Sequence, residues 1–338
     1  MWLTWRAATQ RALYGENGFY LRERPSAHFR TSVSAAVGAT AGAPVGAAVS
    51  ATAGTSAVLA GAVLRELAEL AGPSGPLDLV DVGAGEGALA VGVLALAPQE
   101  LRSRLRVTCV DVAPRPPDLP EEIGWEPVVP EGVEGLVIAN EWLDNVPLDV
   151  VEQTSDGPRL VMVDPSDGAE QLGDTPEEAD LAWLDRWWPL GPVGERAEIG
   201  RPRDEAWASV IVRLARGRAV AVDYAHRLGA RPPYGSLAGY RGGAAVAPVP
   251  DGSCDITAHV ALDACAAAGE GVGAVTTTLT TQREALRALG VTGARPSLDL
   301  AGWDPVGYLR ALSRASLEAE LIDPHGLGAF GWLRQSRS

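Results

Sequence analysis

Short apolar runs alternate along this chain with stretches of helical period, and several of the runs close on polar residues. Leu77–Val82 reads as a strand, and Ala88–Leu96, after an intervening glycine cluster, as a helix. Leu105–Val112, Gly135–Ala139, Arg218–Tyr224 and Val272–Leu279 read as further strands. Asp149–Gln153 and Arg159–Val163 flank the turn-rich Thr154–Pro158 and predict a hairpin. Helices are predicted at Ser56–Ala71, Arg203–Gly217, Gln282–Leu289 and Val306–Ala319, with another at Ala258–Ala268 behind a cap at Thr257. Gly229–Gly252, rich in Gly, Pro and Tyr, reads as a long loop. Strands alternating with helices predict an α/β fold with a doubly wound sheet and insertions after the fourth strand. One domain is expected over 1–338. Residues 1–60 form an N-terminal extension over the active site, 77–149 the nucleotide half, 150–200 a hairpin and Trp-rich insertion, and 201–338 the rest of the sheet.

The corner at Asp81-Val82-Gly83-Ala84-Gly85-Glu86-Gly87 carries the chemistry. Glycines permit a sharp strand-to-helix turn and let a ligand approach where a Cβ would block it. A pyrophosphate-binding turn spaces its glycines G-x-G-x-x-G. Here the spacing is G-x-G-x-G with an acid two residues before the first glycine, which resembles the first motif of class I S-adenosylmethionine (SAM) methyltransferases, a Rossmann-like fold. SAM carries an ammonium group and no phosphate, so Asp81 suits it. Asp111, closing the next strand beside Val112, has the place of an acceptor for ribose hydroxyls, or of a plain turn aspartate. Asn140-Glu141-Trp142-Leu143-Asp144 follows a further strand and points into the same crevice.

Composition narrows the partners. The net charge is −15, and all 28 basic residues are arginine. That charge disfavours nucleic acid and anionic membranes and favours a cationic acceptor. Three irregularly spaced cysteines argue for a reducing compartment without disulfides, and cytoplasmic localisation is expected. No metal-binding spacing is present. Arg6 and Arg11 lie in an acid-free start that mimics a transit peptide, yet it runs directly into Gly18-Phe19-Tyr20. The small-residue run Val33–Leu64 includes Pro44 and is too weakly apolar for a membrane span. Trp183, Trp187 and Trp188 form a core, a dimer face or a docking patch, and a homodimer is compatible with the sequence.

Several stretches, in order, resemble the MidA-like family of SAM-dependent methyltransferases, which includes the mitochondrial complex I assembly methyltransferase. They are Gly18-Phe19-Tyr20-Leu21-Arg22, His28-Phe29-Arg30-Thr31-Ser32, the glycine turn, and Ala139-Asn140-Glu141-Trp142-Leu143-Asp144-Asn145-Val146-Pro147. Asp223-Tyr224, Gly235–Tyr240, Asp255-Ile256-Thr257-Ala258-His259-Val260 and Thr281-Gln282 continue the series. His28, Val33 and Ala225 depart from the family pattern, near the expected acceptor entrance.

The resemblance implies methyl transfer to a protein arginine, with a respiratory complex I subunit as the family's acceptor and S-adenosylhomocysteine (SAH) as product. It implies a cofactor site from Asp81, Gly83, Ala84, Gly85, Gly87, Asp111, Val112, Asn140, Glu141, Thr31 and Ser32. Tyr20, Arg30, Tyr224 and Tyr240 fall on the acceptor side. A guanidinium needs carboxylates to grip its N–H fork, and Glu141, Asp144, Asp223 and Asp255 are the candidate catalytic acids, with His259 to carry off a proton. Plainer roles exist for each: Asp255 as a helix cap, His259 as a core histidine, Asp144 in a turn, the tyrosines in packing. Two other functions stay open, a small-molecule methyltransferase, including one for a cationic acceptor, and a SAM-binding assembly factor with little turnover.

Overall fold

A computed structural model describes residues 1–22 and 54–338. Seven strands make its central sheet: β1 (Leu77–Val82), β2 (Leu105–Val110), β3 (Ile123–Glu126), β4 (Val133–Asn140), β5 (Leu214–Asp223), β6 (Thr276–Thr281) and β7 (Gly331–Arg337). Their spatial order is β6-β7-β5-β4-β1-β2-β3. β7 is antiparallel to both its neighbours, and the other pairings are parallel. β2 and β4 flank β1, so the chain winds away from β1 in both directions and leaves a crevice at the carboxyl ends of β1 and β4.

Side chains of each parallel strand serve two cores, because successive residues point to opposite faces. Leu79, Leu136 and Ile138 pack with Leu59 and Leu67 of the helix Thr55–Leu70, with Leu89 and Leu94 of Ala88–Leu96, and with Leu321 of Pro305–Leu321. Val80, Val82, Val137 and Ala139 face Trp207 and Ile211 of the helix Arg201–Arg213 and Cys265 of Leu262–Val272. Burying each such Leu, Ile or Val contributes about 1.5–3 kcal/mol. The Trp207 indole donates to Gln335 Oε1 at 2.8 Å, and Gln335 Nε2 donates to Ala266 O at 2.8 Å and Thr277 Oγ1 at 2.9 Å. That buried polar knot joins both helices to β7 and β6 and leaves the glutamine amide with partners at both ends.

Between β4 and β5 the chain builds a second sheet. The predicted hairpin forms as Asp149–Thr154 against Gly157–Val163, with Val151 opposite Leu160. Leu3–Thr4, Glu170–Leu172 and Arg196–Ile199 extend it. The N-terminal helix Trp5–Tyr14 packs on this sheet, with Trp5, Ala8 and Leu13 buried and the Trp5 indole donating to Glu170 at 2.9 Å. The transit-like start is thus an integral part of the fold.

Several boundaries differ from the sequence reading. The helix at Arg203–Gly217 spans Arg201–Arg213: Pro202 suits the first turn, and Leu214 is already drawn into pairing with Val133. Thr257 caps no helix. It ends the strand Asp255–Thr257, which pairs with Ala238–Arg241, and the helix begins at Leu262 after Val260–Ala261 has paired with Ala225–His226. The helix therefore continues to Val272, and the next strand begins at Thr276 instead of Val272. The loop Gly229–Gly252 contains two strands, Ala238–Arg241 and Ala244–Val246, joined through Gly242 and Gly243 at φ 57° and 81°. β3 and β7 were not anticipated. Trp183 and Trp188 are core residues, packed with Leu184, Ile199 and Ala264, so neither is a docking patch. No described helix is long and apolar enough to cross a membrane.

Candidate functional site

The strand Leu77–Val82 delivers the glycine turn at the crevice. Gly83, Gly85 and Gly87 adopt φ of 70°, 56° and 73°, a region that side-chain-bearing residues avoid. A Cβ on Gly83 would stand 2.8 Å from the Trp142 side chain, and one on Gly87 would stand 2.6 Å from Leu119. A Cβ on Gly85 would meet nothing within 4 Å, so the turn is packed at both ends and open at its middle. Gly83 and Ala84 donate their amides to Val110 O, which fixes the turn against the end of β2.

Asp111 holds the same turn from the side. Its Oδ2 accepts Gly85 N–H at 2.8 Å and its Oδ1 accepts Ala113 N–H at 2.8 Å, leaving each oxygen a second lone pair. Val112 lies exposed beside it. Asp81 is 4 % exposed; burial, helped by Asp111, pushes its carboxyl up to about 7, against a bond from the Ala90 amide. Asp81 therefore braces the start of Ala88–Leu96. Asp111 thus binds the open middle of the turn, and Asp81 stands near Asp111 at the end of β1. A phosphate would be repelled by these two carboxyls, and a cationic, phosphate-free nucleoside fits them.

β4 ends beside the turn, with Val82 opposite Ala139 and Asn140 opposite Val222. Glu141 then takes φ 51°, the one positive value at a non-glycine among the described residues. Its amide donates to Val222 O at 2.8 Å, and Asn140 Nδ2 donates to its Oε1 at 3.2 Å. Such a conformation costs of the order of 1–3 kcal/mol and marks a place where the fold holds the backbone against its preference. It turns the chain into the short 3-10 turn Leu143–Asn145.

Asp223, closing β5, accepts the amides of Leu143 and Asp144 on one oxygen at 3.0 and 3.2 Å. Asp144 accepts Thr257 Oγ1–H at 2.7 Å. Asp255 accepts Tyr20 O–H at 2.6 Å and Asn145 Nδ2–H at 3.3 Å. These three aspartates are buried. Burial raises the carboxyl of Asp144, and burial with Asp144 alongside drives Asp223 well above the carboxylate range. Asp255 is pushed up to about 7 by burial, against the opposing bond from Tyr20. Asp144 Oδ1 and Asp223 Oδ1 have no hydrogen-bond partner among the described residues.

Aromatic residues line the same end. Tyr224 stacks on the His259 ring, centroids 5.6 Å apart and 15° between planes, and leans on Phe330 at 4.1 Å. Tyr240 pairs in register with Asp255. Tyr14 donates to Asn145 O at 3.2 Å, so the N-terminal segment reaches the site through Tyr14 and Tyr20. His259 lies at the surface, its pKa lowered by partial burial and by Arg203. Neither Asp255 nor His259 sits at a helix start, because strand pairing claims that segment. Thr31, Ser32 and Arg30 lie outside the described residues.

Two contributors, Arg203 and Glu198, have no site role in the sequence reading, and Trp142 is named there only within the crevice segment. Arg203 donates to main-chain carbonyls of the site's loops, at Asp144, Val146, Ala258 and His259. Glu198 accepts the amide and hydroxyl of Ser236 and the amide of Leu237, the last at 3.0 Å, and Ser236 Oγ accepts His259 N–H at 2.8 Å. Trp142 floors the glycine turn. A charged residue between the apolar Ala197 and Ile199 was the available hint for Glu198; Arg203 carried no signal beyond its charge.

A glycine turn at the switch point of a 3-2-1-4-5-7-6 sheet, flanked by acids, defines a class I methyltransferase fold. A family model described as "Putative S-adenosyl-L-methionine-dependent methyltransferase" matches residues 58–280, and the chain belongs to that family. S-adenosylmethionine is accordingly its methyl donor. The chain is similar to a COG1565 superfamily member from Burkholderia thailandensis crystallised with S-adenosyl-homocysteine: 27 % identity, TM-score 0.75, covering 99 % of this chain and 88 % of that one. A second COG1565 structure from the same organism shares the fold at 24 % identity and TM-score 0.72, over 99 % of this chain and 87 % of that one. These similarities agree with the MidA-like resemblance. A search of curated proteins found no match.

Proposed function

We propose that this methyltransferase transfers a methyl group to a guanidino nitrogen of an arginine in a protein acceptor. The observation that carries the reading is an excess of buried carboxyl groups beside the cofactor turn. Asp144, Asp223 and Asp255 converge there, and none forms an ion pair with a described arginine. Arg203, the one buried cation nearby among the described residues, spends its N–H groups on main-chain carbonyls, so the three carboxyls outnumber it and stay raised in pKa, and a cationic acceptor relieves that penalty. A guanidinium, charged at all working pH and presenting five N–H donors, matches such a site better than a neutral acceptor.

When bound, SAM supplies a methyl group already activated on a sulfonium. The chain's own task is then alignment and charge. Glu141 and Asp144 would grip the fork, Asp223 holds the turn that carries them, and Tyr224 with His259 forms a flat wall for the guanidinium plane. Asp255, near neutrality in pKa and oriented by Tyr20 and Asn145, is suited to hold the proton the guanidinium sheds. On this reading the chain acts as one methyltransferase domain whose N-terminal segment helps cover the acceptor end. A respiratory complex I subunit is the acceptor that the MidA-like resemblance implies.

The test is transfer from tritiated SAM into a matched cell lysate, resolved by size, with the labelled residue identified. Label on an arginine of one protein is expected. Label confined to small molecules, or binding of SAM with no transfer, would overturn the proposal.

A further inference from the structure

Arg203 is 3 % exposed, the third residue of its helix, and among the described residues hydrogen-bonded only to main-chain carbonyls. Its Nε donates to Val146 O at 3.1 Å and its Nη2 to Asp144 O at 2.5 Å. Its Nη1 donates to Ala258 O at 2.8 Å and His259 O at 2.9 Å. Two of these acceptors belong to the loop after β4 and two to the loop that carries His259. Thr257 to Asp144, and Ala258 N–H to Asp144 O at 3.2 Å, stitch the same two loops.

Local physics argues against an arginine there. The first turn of a helix disfavours a cation, and burying a guanidinium without a paired carboxylate costs solvation. Burial accordingly lowers its pKa, opposed by Asp144, Asp223 and Glu198 nearby. What the position gains is geometry: a planar fork reaches carbonyls on both sides at fixed angles, which an ammonium cannot do.

We propose that Arg203 is a positioning residue that locks the Asp144 loop to the His259 loop, holding the acceptor side of the site as one unit. The functional part rests on the reading that the acceptor binds among these acids. The loop coupling does not.

The experiment compares the full-length wild type with Arg203→Gln and Arg203→Lys. Three readouts are taken: amide hydrogen exchange, calorimetric SAH binding, and transfer from tritiated SAM into an arginine–glycine repeat peptide. Exchange in 143–147 and 257–260 is expected to rise together, about tenfold or more in Arg203→Gln, with β1 and β4 unchanged. SAH affinity stays within about twofold, and kcat/KM for the peptide falls about 100-fold with KM for SAM unchanged. Arg203→Lys keeps the charge and recovers only part of the loss. It also carries the test if the glutamine variant does not fold. Unchanged exchange in both loops, loosening of one alone, full recovery with lysine, or loss of SAH binding in parallel would each overturn the proposal. If the wild type leaves the peptide unlabelled while the loops still loosen together, the peptide is not an acceptor, the lysate experiment decides the arginine reading, and the role of Arg203 in loop coupling stands.

Discussion

The indole of Trp142 lies against Gly83 so closely that a Cβ there would stand 2.8 Å from it. The floor of the cofactor turn is thus built by the segment that also carries Glu141 and Asp144. Gly83→Ala must displace Trp142 and occupy φ 70° with a side chain, both at a cost. SAH affinity is expected to fall at least tenfold, about 1.4 kcal/mol, measured by calorimetry. Unchanged affinity would mean that the turn does not contact the cofactor.

Asp223 supports this segment from the other side. Replacing it with alanine strips the Leu143 and Asp144 amides of their shared acceptor while both stay buried. Each unpaired group costs about 1–3 kcal/mol, so Asp223→Ala should lower Tm by several degrees. Asp223→Asn keeps an acceptor oxygen and should lose less than half as much. Equal losses would refute the capping role.

Asp255 and Asp81 set a pH dependence. Both carboxyls stand near 7 in the fold, against an ordinary value of 3.8. The folded state therefore binds more protons than the unfolded chain across that window. The penalty is absent below about pH 3.8, grows as pH rises, and is complete above about 7. Stability of the cofactor-free protein should fall from pH 5 to pH 8, with each group contributing up to about 1.4 kcal/mol per pH unit. Asp255→Asn removes one contribution and should flatten the slope measured by urea unfolding. An unaltered slope would refute the assignment.

The tryptophans offer a contrast in stability. Trp183 is 7 % exposed, donates to Asp204 at 2.7 Å, and packs against Gly200. Trp183→Ala should cost about 3–5 kcal/mol. Trp303, 76 % exposed, should change stability by less than about 0.5 kcal/mol on replacement with serine. Chemical unfolding of the two variants checks both.

The chain pattern by itself determined the central architecture. Each parallel strand from β1 to β5 that reads as a near-continuous apolar run is buried on both faces, and burial on both faces imposes that run on the sequence. The glycine turn was legible for the same reason: three positive-φ positions admit little else. Thr281 and Glu284 even wrote a capping box ahead of their helix. Tertiary structure decided the rest. Asp255–Thr257 became a strand because Ala238–Arg241 lay alongside to pair with it, a choice absent from local propensity. β7 entered between β5 and β6 from the far end of the chain. Arg203 acquired its meaning only from four carbonyls, the nearest 55 residues away in sequence, that folding brought around it. Periodicity records which face of an element is buried; it does not record which distant main-chain groups a single side chain will meet, because that depends on how the elements pack.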